Sequence, residues 1–128
     1  MAHDESAFEQ ALRGIQRRLQ LTGSPLLIAR RAGAAVGFGL FAPHHSTVEL
    51  YFLAVDPGAW GSGVAGPLLR RVVAEARAVG ATTVELWVID DDHRAIGVYV
   101  RSGWVRTERL QHDSATSRVE RLLVNHLY

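Results

Sequence analysis

Gly61 and Gly63 stand between an aromatic and branched run, Glu49 to Val55, and an amphipathic run from about Gly63 to Val79. Glycine at both places removes the side chains that would hold a ligand away from the backbone. Where such a turn opens a helix, free N–H groups and the positive end of the helix dipole converge on one spot, and that suits phosphate. Pro67 is compatible with this, because the first helical turn has no internal partner for its missing N–H. Glycines ahead of a helix also make ordinary tight turns, so Trp60-Gly61-Ser62-Gly63-Val64-Ala65 alone leaves both readings open. The other groups with chemical potential are Glu49, Tyr99, the pair His44-His45 and the run Asp90-Asp91-Asp92. The adjacent histidines read as surface residues that point apart rather than as metal ligands. The aspartates read as the cap of a helix, with a place for a cationic acceptor as the alternative.

The elements that must position these groups follow from periodicity and turn chemistry. Ser6 and Glu9 form a capping-box pattern ahead of Phe8, Ala11, Leu12, Ile15 and Leu19, so a first helix is expected over about Ser6 to Gln20, stopped by Gly23-Ser24-Pro25. Strands are expected at Leu26–Arg30, Ala35–Ala42 and Thr47–Val55, joined at Arg31-Ala32-Gly33 and at Pro43-His44-His45-Ser46 into an antiparallel meander. The helix from Gly63 places Val64, Leu68, Leu69, Val72, Val73, Ala76 and Val79 on one side, and Gly80 stops it. Thr82–Ile89 ends apolar on both faces, as a covered parallel strand does, which predicts a right-handed β-α-β crossover. A short helix over Arg94–Arg101 and strands at Val105–Leu110 and Arg118–Val124, with a turn at Gln111-His112-Asp113-Ser114, complete the chain.

Two segments, taken together, resemble the GNAT superfamily of N-acetyltransferases. The acetyl-CoA loop of that family, Gln/Arg-x-x-Gly-x-Gly/Ala, is similar to Trp60–Ala65 at Gly63 and Ala65, with Leu68-Leu69 following as the family's Leu-Leu pair. Trp60 departs from the pattern. The family's later Asn-x-x-Ala-x-x-x-Tyr-x-x-x-Gly-Phe is similar to Ala95, Tyr99 and Gly103, with Asp92 for Asn and Trp104 for Phe. The fold this resemblance implies is a single α/β (α+β) domain over residues 1–128. It has a mixed, mostly antiparallel sheet, a central parallel crossover and helices on both faces. Members usually begin with a strand, and here that leading strand is missing from the pattern.

The resemblance implies an acetyl-CoA-dependent N-acetyltransferase that transfers the acetyl group directly to a primary amine in a ternary complex, with no metal. It places acetyl-CoA on Leu53, Ala54, Val55, Trp60, Gly61, Ser62, Gly63, Val64, Ala65, Asp92 and Ala95. Tyr99 takes the position of the tyrosine that protonates the departing thiolate, and Glu49 that of a glutamate which deprotonates the amine through water. Backbone N–H groups of Leu53 to Val55 would bind the thioester carbonyl. With Trp60 in place of Gln/Arg, its side chain is expected to pack over the loop, and the pyrophosphate to lean on backbone N–H groups alone. An inactive CoA-binding sensor or regulatory subunit of the same fold is the alternative, and the acceptor loops around His44–Ser46, Asp90–Arg94 and Gln111–Thr116 do not name the amine. A nucleotide-binding module for ATP is disfavoured, because no Gly-Lys-Ser/Thr follows the glycines.

Composition narrows the classes further. At 128 residues the chain suffices for one core. A net charge of +1 gives no reason to expect nucleic acid or a membrane surface as partner. Without cysteine there is no disulfide, no thiolate zinc site and no cysteine acyl-enzyme. Met1 to Gln10 is polar and acidic and no long apolar run occurs, so a cytoplasmic protein is expected. A bare apolar edge at Leu26–Arg30 invites pairing, and a homodimer is the expected cover.

Overall fold

The chain's structure is a computed structural model that describes residues 7–22 and 25–127, with side chains for all of these but 18–22. Helix α1 spans Ala7–Thr22, and strands β1 (Leu26–Arg31), β2 (Ala34–His44) and β3 (Thr47–Val55) form the meander. A single 3-10 turn at Pro57–Ala59 leads to α2 (Ala65–Ala78), which returns to β4 (Thr83–Ile89). Helix α3 (His93–Arg101) and the strands β5 (Val105–His112) and β6 (Val119–His126) follow. Six strands make one sheet in the order β1-β2-β3-β4-β6-β5, and its parallel pair is β3–β4. The family's leading strand, missing from the sequence pattern, does not occur among the described residues; Ser6, Gly23 and Ser24, and the side chain of Leu19, lie outside them. No described helix is long and apolar enough to cross a membrane.

The two faces of the sheet are covered by different helices. Phe8, Leu12 and Ile15 of α1, spaced as one helical stripe, pack with Ala35, Phe38 and Ile28, and the rings of Phe8 and Phe38 lie 5.5 Å apart. Ala11, expected in that stripe, is exposed. On the other face Leu69, Val72 and Ala76 of α2 join Ile96 of α3 over Val48, Leu50, Val84, Leu86 and Leu123, the main core. Close approach of α2 depends on Gly37 of β2. A β-carbon there would stand 2.9 Å from both Leu68 Cδ1 and Val64 Cγ1 and 3.2 Å from the Ala54 carbonyl oxygen.

Both helices of the core face end the same way. At α2 the N–H of Gly80 donates to Arg77 and that of Ala81 to Ala76, each at 3.0 Å, with Gly80 at φ +79°. This is the Schellman arrangement, in which a left-handed glycine turns the chain out of the helix. It leaves Val79 outside the helix and 63% exposed, not in the apolar stripe. At α3 the N–H of Gly103 donates to Val100 and that of Trp104 to Tyr99, each at 3.1 Å, with Gly103 at φ +94°.

Several boundaries differ from the sequence reading, for reasons that lie in pairing. Pro43 and His44 belong to β2, opposite Val48 and Thr47, so the turn shrinks to His45-Ser46. His45 takes φ +58°, and its ring meets that of His44 edge to face at 4.7 Å, so the two histidines do not point apart. Gln111 and His112 likewise stay in β5, paired with Glu120 and Val119, and the turn begins at Asp113. Helix α2 starts at Ala65, two residues after Gly63, because Gly63 at φ +83° cannot continue a right-handed helix.

Candidate active site

The site begins where two parallel strands part. β3 and β4 are in register only from Thr47–Thr83 to Leu50–Leu86. At that point the β2–β3 ladder slips: Leu40 faces Phe52 while Phe41 faces Leu50, leaving Tyr51 as the extra residue of a bulge. Beyond it β3 stays with β2, and Trp87 to Ile89 of β4 stay with β6, so a wedge opens between them. The N–H of Asp56 donates to Val36 at 2.8 Å. Antiparallel alternation therefore turns the peptide groups of Ala54 towards β2 and those of Leu53 and Val55 into the wedge. The N–H groups of Leu53 and Val55 thus face a gap with no strand opposite.

The loop that follows is pinned from two sides. The indole N–H of Trp60 donates to the Val55 carbonyl at 2.9 Å, which ties the loop to the strand end. Arg31, the last residue of β1, donates to the Ser62 hydroxyl at 2.9 Å and to its carbonyl at 3.1 Å, while the Ser62 hydroxyl donates to the Ala59 carbonyl. Gly61 and Gly63 hold φ +79° and +83°, and a β-carbon on either would meet no protein atom within 4 Å. Only glycine takes this conformation without strain, and the space beside it is open. Val64 caps α2 through its backbone with no side-chain bond, so the first N–H groups of the helix remain available.

Helix α3 forms the opposite wall. The Asp92 carboxylate accepts from the N–H of Ala95 at 3.0 Å and so caps the helix. Asp90 serves a different purpose: Arg121 bonds it and Arg106 stands 3.6 Å away, and the hydrogen bond from Arg121 holds its carboxyl below the ordinary range. Ala95 and Tyr99, one turn apart, share a face. Tyr99 is fixed from below by Trp104, whose backbone N–H donates to the Tyr99 carbonyl and whose ring meets its ring edge to face at 5.9 Å. Burial, with a smaller contribution from the Asp92 charge, pushes the phenol up to about 12.

These parts enclose a cleft of about 740 Å³. Leu53, Ala54, Val55, Trp60, Gly61, Gly63, Val64 and Ala65 line one wall, and Asp92, Ala95 and Tyr99 the other. Ser62 does not line it, since its polar atoms are held by Arg31 and Ala59. Glu49 lies on the far face of the sheet, because its neighbours Val48 and Leu50 point into the core beside α2 and α3. There it stands in register with Glu85 of β4. Tyr51 shares a hydrogen bond with it, and the Tyr51 phenol is raised, by burial first and then by the Glu49 charge. The sequence reading missed Ala59, Gly66, Arg94, Val98, Arg101 and Ser102 in the cleft wall. Val98 and Ser102 were within reach, since they lie three residues from Ala95 and from Tyr99 on the same helical face. Trp60 also differs from expectation: instead of packing over its loop it is half exposed, under the guanidinium of Arg94.

The sequence pattern of the Acetyltransferase (GNAT) family matches residues 2–104, which takes in the meander, the loop, α2, β4 and α3. The chain belongs to the GNAT family. Among solved structures, a Bacillus subtilis acetyltransferase in complex with CoA superposes with a TM-score of 0.78 at 17% identity, over 98% of this chain and 96% of that one. yncA of Salmonella typhimurium, solved with its cofactor acetyl-CoA, gives 0.73 at 20% identity, over 100% of this chain and 79% of that one. Both likenesses establish the GNAT fold. The mycothiol acetyltransferase of Beutenbergia cavernae is 42% identical over 65 residues, 51% of this chain. This GNAT chain spans about a fifth of that curated relative, 22% of its length.

Proposed function

We propose that this chain is an acetyl-CoA-dependent N-acetyltransferase of the cytoplasm that passes the acetyl group directly to a primary amine. The observation that carries the reading is one cleft that joins a glycine loop at a helix start, a strand end whose N–H groups face no neighbouring strand, and a half-buried tyrosine. In the proposed reaction the amine nitrogen attacks the thioester carbonyl, and the N–H groups of Leu53 and Val55 stabilise the oxyanion. The carbon–sulfur bond then breaks as the Tyr99 phenol donates its proton to sulfur. Glu49, reached from the far face of the sheet, takes the amine proton through water. Its neighbour Glu85 adds a negative field on the side from which a cationic amine approaches.

Free thiol release from acetyl-CoA in the presence of EDTA, measured over amines, polyamines, aminoglycosides and peptide N-termini, tests the reading. At least one acceptor should release thiol in equal amount to its acetylated product. Glu49→Gln should then slow that reaction mainly at the acidic end of the pH profile, where the amine most needs a base. Acetyl-CoA that binds yet is never consumed would contradict the assignment as an enzyme. The proposal includes pairing of two copies along the outer edge of β1, which is an edge strand. Light scattering should give a dimer, and a monomer would contradict that part.

A further inference from the structure

We propose that Arg94 is a phosphate-binding residue of the cofactor site, supplying from α3 the cation that the first loop position lacks. This rests on the acetyl-CoA reading above and deepens it. The guanidinium carbon of Arg94 lies 3.9 Å from the centroid of the Trp60 ring, and both residues line the cleft from opposite walls. Stacking uses the flat face of the guanidinium and leaves the N–H donors on its rim free, the geometry that binds a phosphate through two parallel hydrogen bonds. Trp60 is a fixed platform for this, since its own indole N–H is tied to Val55. Arg94 therefore stands over the glycine loop without being part of it.

Of three other charged groups in the vicinity, two are engaged elsewhere and one is remote. Arg31 spends its donors on Ser62, bracing the loop from outside the cleft. Arg101 also borders the cleft, but seven residues along α3, beyond Tyr99, about 10 Å from the Arg94 turn by helical rise. Asp92, the acid closest in sequence, is committed as the α3 cap. A side-chain cation thus reaches the loop although the residue at its first position is Trp. The sequence-based expectation that backbone N–H groups act alone gives way to a division of labour, with Trp60 as the holder and Arg94 as the charge. The pyrophosphate is the group assigned to it, because Arg94 faces the loop and the α2 start and not the thioester end near Tyr99.

The test compares Arg94→Ala, Arg94→Lys and the unsubstituted protein. Acetyl-CoA and its 3′-dephospho form are titrated by calorimetry, and acetyl-pantetheine, which lacks the nucleotide, by ligand-observed NMR. Arg94→Ala should weaken acetyl-CoA and the dephospho form alike, by about tenfold, and leave acetyl-pantetheine unchanged. Its affinity should also fall less steeply with salt. Arg94→Lys should recover only part, since an ammonium keeps the charge but not the stacked fork. Equal losses for all three ligands would make Arg94 a structural support of α3, and no loss would remove it from the site. A loss confined to the form bearing the 3′-phosphate would overturn the pyrophosphate assignment. If the unsubstituted protein binds none of the three, the cofactor reading itself fails, and that outcome is distinct from a variant that binds like its parent.

Discussion

Gly63→Glu is expected to abolish acetyl-CoA binding, lowering affinity by more than about a hundredfold. Like charges brought together at a binding surface cost several kcal/mol, and about 2.7 kcal/mol is a hundredfold. The carboxylate would enter the open space beside Gly63, where the loop and the start of α2 present their N–H groups. Gly63→Ala is the control. It carries the strain of a side chain at φ +83°, about 1–2 kcal/mol, but meets no protein atom within 4 Å and adds no charge. The alanine variant should therefore lose stability and keep most of its affinity, whereas the glutamate variant loses binding. Calorimetry with circular dichroism separates the two, and a folded Gly63→Glu protein with parental affinity would remove the loop from the cofactor site.

Tyr99→Phe should lower kcat by about a hundredfold, the lower end of the range for acid–base catalysis, with little change in acetyl-CoA affinity. The ring's contacts with Trp104 survive in the variant, so the fold should be preserved. A phenol of ordinary pKa near 10 would be close to matched with an alkyl thiolate. The buried one, at about 12, is a weaker acid, so its proton leaves only as the carbon–sulfur bond breaks. The sign for pH is definite: a raised value keeps the phenol neutral, so the proton donor is lost only as pH approaches about 12. The rate should show no decline between about pH 8 and pH 10, where an unperturbed tyrosine would begin to ionise. A fall centred near pH 10 that disappears in Tyr99→Phe would contradict the buried, neutral phenol. A Phe variant that turns over at the parental rate would assign Tyr99 to packing.

Local signals carried much of this structure. Gly80, read as a helix stop, sits at the left-handed position of a Schellman end, and Gly103, read only as part of the family pattern, sits at another. The spacing of Ala95 and Tyr99 fixed their common helical face in the same way. What the sequence did not disclose depends on partners far along the chain. The bulge at Tyr51 that opens the wedge is a property of the β2–β3 register, with no glycine or proline to mark it. The extension of β2 through His44 and of β5 through His112 came from ladder pairing that overrode turn-like composition. The Arg31–Ser62 brace and the Arg94–Trp60 stack join residues about thirty positions apart, and no local rule pairs them.

Acetyl-CoA is expected to enter the wedge between β3 and β4, and its titration into the unsubstituted protein in EDTA checks this. Saturable binding of one equivalent per chain, undiminished by the chelator, is the expected result, because N–H groups and arginine rather than a bound cation would meet the phosphates. Absence of binding by the folded protein, or binding that requires an added divalent metal, would contradict it.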